Sequence, residues 1–255
     1  EQTLTRTLTL PSTHRDELDS MIRLAAKAQL PYPPEQAALD WTLIASQAGS
    51  SLVQLVACQR EWVDRHLGLL RQAGLRADVL TPSSWGVAAW YQRFGASPLV
   101  QEPAMVVHID AERTDLVLMR QGRVVFSRNL NQGAGEWSAS LEPLLQDIER
   151  SLTSVRKELP GMEAASMVCT GIGPLEAWRG TMEQRVGLPV VVRQGYGDLA
   201  LPTRIAGESS GQRQDSLVVA MGLAVSDVSL LINLLPSEAR EAKRQRRRIR
   251  ELALT

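Results

Sequence analysis

The segment that follows Pro103 alternates between hydrophobic and polar positions in the way that paired β-strands require. Ala104–Ile109 is an apolar run, Asp110–Arg113 is a polar turn, and two further runs alternate on either side of Gln121-Gly122. Alternation with a period of two, bounded by turn residues, predicts three strands. The period then becomes helical, and a β-β-β-α unit is therefore predicted. The apolar stripe of the helix comprises Trp137, Leu141, Leu144, Leu145, Ile148, Leu152 and Val155.

The residues at the start of the chain predict a strand, a helix and a hairpin. The strand ends before Pro11, and Ser12-Thr13 can cap the helix that follows. Trp41–Ser46 and Leu52–Gln59 alternate around Gly49-Ser50, which predicts a β-hairpin. The apolar face of the helix is predicted to comprise Leu18, Ile22, Ala25 and Gln29.

A helix, a short strand and a second helix are predicted next. The first helix is capped at its C-terminus by Gly74, and the strand spans Leu75–Leu80. Thr81 caps the second helix, which has Pro82 at its first position and runs to about Phe94. The residues of the first helix that face inward are predicted to be Val63, Leu67 and Leu70.

The residues after the long central helix predict further strands and helices. Strands are predicted at Ala165–Thr170 and Leu188–Arg193, helices at Pro174–Val186 and Leu217–Val225, and a polar loop at Asp198–Gln214. Helices between strands imply a largely parallel sheet with helices packed on it. We therefore expect an α/β protein of two tandem β-β-β-α-β-α lobes, the first lacking some of its opening strands. The predicted lobes are 1–100 and 101–228, and 229–255 is a separate tail.

Charge is balanced over the whole chain but not along it. Lys and Arg total 28, as do Asp and Glu. Seven basic and three acidic residues lie from Glu238 onward, which leaves 21 basic against 25 acidic before that point. A basic tail on a mildly acidic body suggests an anionic partner surface. The clustered arginines of the tail are Arg244, Arg246, Arg247, Arg248 and Arg250.

The remaining composition gives coarser expectations. Cys58 and Cys169 each lie in a strand-like run, so we expect two buried free thiols and a reducing compartment. No apolar run is long enough to span a membrane, and no signal peptide is visible. We expect both ends of the sequence to continue in a longer protein.

Six strings stand in one order along the chain: LTLPSTHRDELDSMIRLAAKAQLPYPPEQAALDW, GLRADVLTPSSWG, HIDAERTDLVLMRQGRVVFSRNLNQGAGEW, QDIERSLTSVR, VCTGIGPLEAW and VAMGLAV. Together they resemble PilM, the cytoplasmic actin-like component of type IV pilus machinery, and the cytoplasmic part of GspL in type II secretion. The resemblance covers most of the chain. It implies the actin-like, or ribonuclease-H-like, two-lobed fold.

A further string near the end resembles a different protein. Leu231 to Pro236 read LINLLP and are followed by basic residues, which resembles the cytoplasmic N-terminus of PilN, the membrane partner that PilM-like proteins hold in a groove. The resemblance implies that the actin-like body and a PilN-like segment share one chain, with a membrane helix after residue 255. The partner-binding residues implied are Ile232, Asn233, Leu234, Leu235 and Pro236.

The phosphate turn of the family departs from its usual pattern in this chain. Against the family's DIGxxxT, His108 stands at the Asp position, Asp110 at the Gly position and Thr114 at the Thr position. The other register makes Asp110 the acid but leaves Glu112 at the Gly position. A carboxylate where a phosphate should rest is repulsive, and glycine would let backbone N–H groups approach it. Neither register gives a good phosphate cradle.

Two glycine turns complete the degenerate nucleotide site that the resemblance implies. Gly133 follows the third strand, and Gly171 and Gly173 stand at the adenosine-binding turn, where Pro174 removes one N–H donor. We favour a tight strand-to-helix turn over nucleotide binding. We therefore expect no cofactor, with ATP and Mg²⁺ as the alternative.

Enzymatic chemistry is not indicated. His14, His66 and His108 are scattered without metal-ligand spacing, and no GxSxG elbow is present, so we expect neither a metal site nor an enzyme. The carboxylates of Asp110, Glu112 and Asp115 cluster, but an exposed turn accounts for them.

The tail admits several interpretations. Its arginines can form a solvated helix face, a nucleic-acid patch or a juxtamembrane segment, and the absence of interleaved aromatic residues disfavours nucleic acid. We favour the membrane-proximal interpretation. Ile232–Pro236 can be the last strand of the body or an extended segment docked in a groove of the same chain or of a second copy. Ile232 and Leu234 would then face one way, and Asn233 and Leu235 the other.

Three functions are consistent with these patterns. The first is a non-catalytic scaffold on the cytoplasmic face of the bacterial inner membrane, in the assembly platform of a type IV pilus or a type II secretion system. Its partners would be PilN/PilO-like or GspM-like platform proteins, the motor ATPase, the anionic membrane surface and further copies of itself. The second is an ATP-binding actin-like protein or kinase, and the third is nucleic-acid binding through the tail. We expect the first.

Overall fold

The computed structural model describes residues 3–134, 141–193, 216–236 and 238–240. The chain forms two compact units. The first comprises Glu1–Pro82 together with Val228–Thr255, and the second comprises Ser83–Asp227. The chain thus leaves the first unit once and returns to it after the second unit is complete. The sequence had placed this division near residue 100 and had treated 229–255 as separate from both lobes.

The first unit contains a three-stranded antiparallel sheet in the order β1-β3-β2. The β2–β3 hairpin turns at Ala48 and Gly49, both with positive φ, which suits the twist of a tight hairpin. The helix α1 packs Leu18 and Ile22 into a core with strand β3. The elements are β1 (Thr3–Leu10), α1 (Arg15–Gln29), β2 (Ala37–Gln47), β3 (Ser50–Gln59) and α2 (Arg60–Gln72).

Three details of the first unit differ from the prediction. The buried face of α1 includes Ala26, whereas Gln29 is exposed, because the helix begins at Arg15 and its stripe follows i, i+4 and i+8 from Leu18. The order β-α-β-β-α matches the elements predicted one by one, but it is not the β-β-β-α-β-α order expected of each lobe. The strand predicted at Leu75–Leu80 is wrong: this segment is not a β-strand, and the Leu80 carbonyl accepts the N–H of Leu234, far along the chain.

The second unit contains a mixed sheet in the order β6-β5-β4-β7-β8. Strands β4, β7 and β8 are parallel, and β4, β5 and β6 are antiparallel, so the prediction of a largely parallel sheet holds only for one half of this unit. The elements are α3 (Ser83–Trp90, continued by a π-turn over Tyr91–Gly95), β4 (Ala104–Ile109), β5 (Thr114–Arg120), β6 (Arg123–Leu130), α4 (Glu142–Glu158), β7 (Ser166–Gly171), α5 (Leu175–Val186), β8 (Val190–Val192) and α6 (Val218–Val225).

Helix α3 belongs to the second unit because it packs on the sheet there. It contacts strands β4, β5 and β6 and crosses α6 very closely. A Cβ on Gly222 would lie 1.8 Å from the carbonyl oxygen of Gly86, so only glycine allows this approach. This packing explains why the units part at residue 82 and not near residue 100. The helix itself begins at Ser83, one residue after Pro82, the predicted first position.

Other predictions for the second unit agree closely with the structure. The three strands after Pro103 and the long helix are confirmed, as is the buried free thiol of Cys169. The buried free thiol predicted for Cys58, in the first unit, is also confirmed. Trp137 and the loop Asp198–Gln214 lie outside the described residues. Among the helices that the structure describes, none is both long and apolar enough to cross a membrane.

Candidate functional site

The turn between β4 and β5 is closed by its own backbone and by the chain that follows β6. The Asp110 N–H donates to the Arg113 carbonyl at 2.8 Å, and the Ala134 N–H donates to the Asp110 carbonyl at 2.8 Å. The Thr114 hydroxyl donates to the Gln132 carbonyl at 2.8 Å. A Cβ on Gly133 would lie 2.3 Å from the Ala111 carbonyl oxygen, so this glycine is needed for backbone to pack on backbone.

The Asp110 carboxylate binds backbone N–H groups at this turn. Its Oδ1 accepts the N–H of Ala111 at 2.8 Å and the N–H of Ser216 at 3.3 Å. N–H groups in a turn of this kind are the donors that bind anions in other proteins. Here the chain supplies its own anion, and those two donors are already occupied.

The two glycines after β7 form the second turn at this edge of the sheet. Gly171 has a φ of +113, and a Cβ there would lie 1.9 Å from the Ile109 carbonyl oxygen. The next residue, Ile172, donates its N–H to the same carbonyl at 2.9 Å. Gly173 has a φ of +108 and lies against the Trp178 ring. The structure thus brings Asp110, Gly133 and Gly171 to the carboxyl end of β4, while Gly173 faces helix α5.

A row of polar side chains crosses four neighbouring strands just inside these turns. In strand register, Asn129 pairs with Asp115, Asp115 with His108, and His108 with Thr170. His108 is 1% exposed and Asp115 is 5% exposed. The expectation that Asp115 lies in an exposed turn is therefore wrong. It belongs to strand β5, one residue past the start, and its side chain points into the body.

The polar row anchors two helix starts to the sheet. Asp115 Oδ1 accepts the Ser83 hydroxyl at 2.8 Å, at the first residue of α3, and the Asn129 side-chain amide at 3.1 Å. His108 Nε2 lies 2.8 Å from the hydroxyl oxygen of Ser216, which precedes α6. Sequence reasoning found His108 but missed Ser83, Asn129 and Ser216. A signal was available for Asn129 alone, as a polar residue near the end of a predicted strand, because Ser83 and Ser216 lie at the starts of helices.

Asp115, His108 and Ser216 have the connectivity of a serine nucleophile relay, but the geometry does not support that chemistry. His108 Nδ1 lies 3.5 Å from Asp115 Oδ2, beyond hydrogen-bond length. The Ser216 oxygen also accepts the Val218 N–H at 3.3 Å, as a helix-capping group does. The row therefore has the properties of a buried structural network. Among the described residues, no cluster of three or more acidic, His or Cys side chains could hold a metal ion.

The segment Ile232–Leu235 is docked into the first unit. Its three apolar side chains are buried: Ile232 is 2%, Leu234 4% and Leu235 3% exposed. Leu234 donates its N–H to the Leu80 carbonyl at 2.7 Å. Strict alternation predicts opposite faces for Leu234 and Leu235, yet the structure buries both. Pro236 is half-buried at the end of the segment.

Asn233 is the polar centre of this docking. Its N–H donates to Asp40 Oδ2 at 2.8 Å, and its side-chain oxygen accepts the N–H groups of Leu80 at 3.3 Å and Leu235 at 3.0 Å. The side chain thus bridges the groove and its own segment. We refer to the surface formed around Asp40 and Leu80 as the tail groove.

Asp40 on β2 is the charged group of the tail groove. Burial raises its pKa above the usual range, against the opposing effects of the Asn233 and Trp41 backbone N–H groups and of Arg240 and Arg15. Arg240 also donates to the Leu235 carbonyl at 2.8 Å. An exposed ion pair joins Arg60 to Glu238 at 3.3 Å. The arginines from 244 to 250 lie outside the described residues.

The α/β fold is similar to that of a solved PilM–PilN complex, which agrees with the actin-like fold predicted above. The chain belongs to the family of the type IV pilus assembly protein PilM, whose sequence model matches residues 1–142.

Three solved structures illustrate the likeness. A PilM–PilN type IV pilus biogenesis complex superposes with a TM-score of 0.68 at 23% identity, over 88% of this chain and 76% of that one. The cytoplasmic domain of EpsL, an inner-membrane component of the type II secretion system of Vibrio cholerae, superposes with a TM-score of 0.49 at 11% identity. The match covers 93% of this chain and 74% of that one. A Bacteroides thetaiotaomicron protein with an actin-like ATPase fold superposes with a TM-score of 0.42 at 11% identity, over 82% of this chain and 70% of that one.

Proposed function

We propose that this chain is a non-catalytic scaffold of the inner-membrane assembly platform of a type IV pilus or type II secretion system. Its actin-like body would hold its own tail, and the tail would lead to the membrane. Membership of the PilM family supports the setting. The docking of Ile232–Leu235 in the tail groove is the observation that carries the proposal.

The docked segment has the features of a recognised peptide. It combines buried apolar anchors with main-chain hydrogen bonds, which together give a peptide affinity and register. The PilM-like structure cited above was determined as a complex with PilN. We propose that the segment of this chain around Asn233 plays the part that PilN plays there, but from within the same chain. PilO-like or GspM-like proteins and the motor ATPase would bind elsewhere on the platform.

The basic tail supports a membrane-proximal position. Arg244, Arg246, Arg247, Arg248 and Arg250 follow the docked segment after only a few residues. Basic residues at this distance are attracted to the anionic lipids of the cytoplasmic leaflet. A segment anchored at Asn233 would therefore keep the body close to the membrane surface.

The candidate nucleotide turns favour a scaffold over an ATP-binding protein. The Asp110 carboxylate occupies N–H groups of Ala111 and Ser216, and the backbone of Gly133 fills the space beside the turn. A phosphate at this place would face a fixed carboxylate and would find donors already paired. The arrangement thus supports a body that keeps its fold without a nucleotide.

Substituting one buried leucine tests the docking. Thermolysin cleaves on the amino side of leucine and isoleucine, so Leu231, Ile232 and Leu235 remain as sites when Leu234 is replaced. Leu234→Asp places a carboxylate in an apolar pocket, so we expect cleavage within 231–236 to become at least about tenfold faster. The measurement is limited proteolysis followed by mass spectrometry.

The neighbouring Leu230 gives a matched control. It is 74% exposed, so Leu230→Asp introduces the same charge outside the groove and should leave the cleavage rate near that of the unmodified protein. Equal sensitivity of Leu234→Asp and the unmodified protein would remove the support for a docked tail.

A further inference from the structure

Apart from the exposed Arg60–Glu238 ion pair, the described contacts that hold the tail are confined to a short segment. Ile232, Leu234 and Leu235 supply the buried side chains, and the hydrogen bonds to Asp40 and Leu80 involve only residues 233 and 234. None of these contacts depends on which chain carries the segment. The groove therefore recognises a sequence, in which the Asn233 carboxamide is the most selective element.

The residues that connect α6 to this segment are poorly packed. Val228 is 53% exposed and Leu230 is 74% exposed, although both are apolar. The short helical turn Val228–Leu230 buries none of its residues. A connection that contributes little burial can change its path at small cost in free energy, which is the property of a hinge in segment exchange.

We infer that the tail groove also accepts the tail of a second copy, so that two chains can exchange residues 229–240. This inference rests on the docking proposed above and adds to it a partner, namely another molecule of this chain. A tail on the same chain has a high effective concentration, so the monomer predominates in dilute solution. Exchange becomes favourable where copies are crowded, as they are when anchored on one membrane surface.

The exposed ion pair between Arg60 and Glu238 allows exchange to be measured. The two side chains are 43% and 67% exposed, and an exposed pair adds little to stability, so cysteines are tolerated there. One copy carries Arg60→Cys and another carries Glu238→Cys, each with a different affinity tag. The native Cys58 and Cys169 are buried, so a bismaleimide cross-linker reacts first with the introduced thiols.

The expected result is a cross-linked species of two chains that carries both tags and whose yield rises with protein concentration. Adding Asn233→Ala to the Glu238→Cys copy removes the side-chain bridge to Leu80 and should lower the initial rate of that product about tenfold. A yield that Asn233→Ala leaves unchanged would show random collision and would overturn the inference.

A single chain with both cysteines separates the two proposals. If it cross-links within one molecule while the mixed copies give no two-chain product, exchange is wrong and the docked tail stands. If the single chain also fails to cross-link internally, while circular dichroism shows that it is folded, the docking itself is wrong.

Discussion

Two carboxylates in this molecule accept hydrogen bonds from backbone N–H groups that lie at different distances along the chain. Asp110 accepts the N–H groups of the next residue, Ala111, and of Ser216, and it closes a turn at the edge of the second unit. Asp40 accepts the N–H of Asn233, which lies 193 residues further on, and holds the tail in the first unit. Both bonds of Asp110 lie within the second unit, and the bond to Ala111 lies within the turn itself. The bond of Asp40 joins two parts of the first unit that the whole second unit separates in sequence.

This difference indicates where recognition can reside. An N–H group bound by its own neighbour is permanently occupied, so the turn at Asp110 contributes to stability. A distant segment that donates an N–H group can dissociate, and another segment can take its place. The tail groove can therefore serve as a binding site for a peptide segment. We therefore interpret the turns at Asp110 and Gly171 as structural, and we assign the proposed function to the tail groove.

The largest expected effect tests the structural role of the turns. Gly171→Ala would place a methyl group 1.9 Å from the Ile109 carbonyl oxygen, at a φ of +113 that alanine rarely adopts. We expect the free energy of unfolding to fall by about 3 kcal/mol or more. Chemical denaturation monitored by circular dichroism measures it.

Gly180 in α5 provides the control for this substitution. A Cβ there meets nothing within 4 Å, and alanine favours a helix over glycine by about 0.5–1 kcal/mol. Gly180→Ala should therefore leave stability unchanged or raise it. If Gly171→Ala were equally harmless, the turn would have room for a ligand and the contrast with the tail groove would weaken.

A smaller effect is expected at the buried polar row. Asp115→Ala removes the acceptor of the Ser83 hydroxyl and the Asn129 amide, and it leaves His108 without a carboxylate 3.5 Å away. Because the substitution leaves these buried donors unpaired, we expect the free energy of unfolding to fall by about 2–3 kcal/mol. Glu112→Ala, in the exposed turn nearby, should change it by less than about 0.5 kcal/mol. Equal losses in the two variants would mean that the row does not anchor the helices.

The sequence predicted the second unit better than the first for a physical reason. Strands β4, β5 and β6 are joined by short turns, so their alternation and their pairing are both local. Leu75–Leu80 has a strand-like composition, but its backbone partner is Leu234, which no local pattern reveals. The burial of Asp115 was missed because its partners, Ser83 and Asn129, come from separate elements. The INLLP string could be recognised as a segment, whereas its groove required the folded first unit.

The smallest effect concerns the charge of Asp40 and has a definite sign. Burial raises the pKa of Asp40 above 3.8, so the folded state binds a proton more readily than the unfolded state. The free energy of unfolding should therefore rise slightly as the pH falls from neutral toward the pKa that the carboxyl group has in the unfolded state. Asp40→Asn keeps an oxygen that can accept the Asn233 N–H but cannot ionise, so it should abolish this part of the pH dependence.

Denaturation of both proteins at several pH values between 4 and 7 measures the difference. We expect Asp40→Asn to be as stable as the unmodified protein at pH 7, since it removes a buried charge and retains the acceptor. Asp40→Ala should be less stable at every pH, because the Asn233 N–H then has no partner at that position. A marked loss in Asp40→Asn at neutral pH would instead show that the attraction of the ionised carboxylate for Arg240 and Arg15 dominates its burial. The tail would then be held chiefly by charge, and its release would depend on salt.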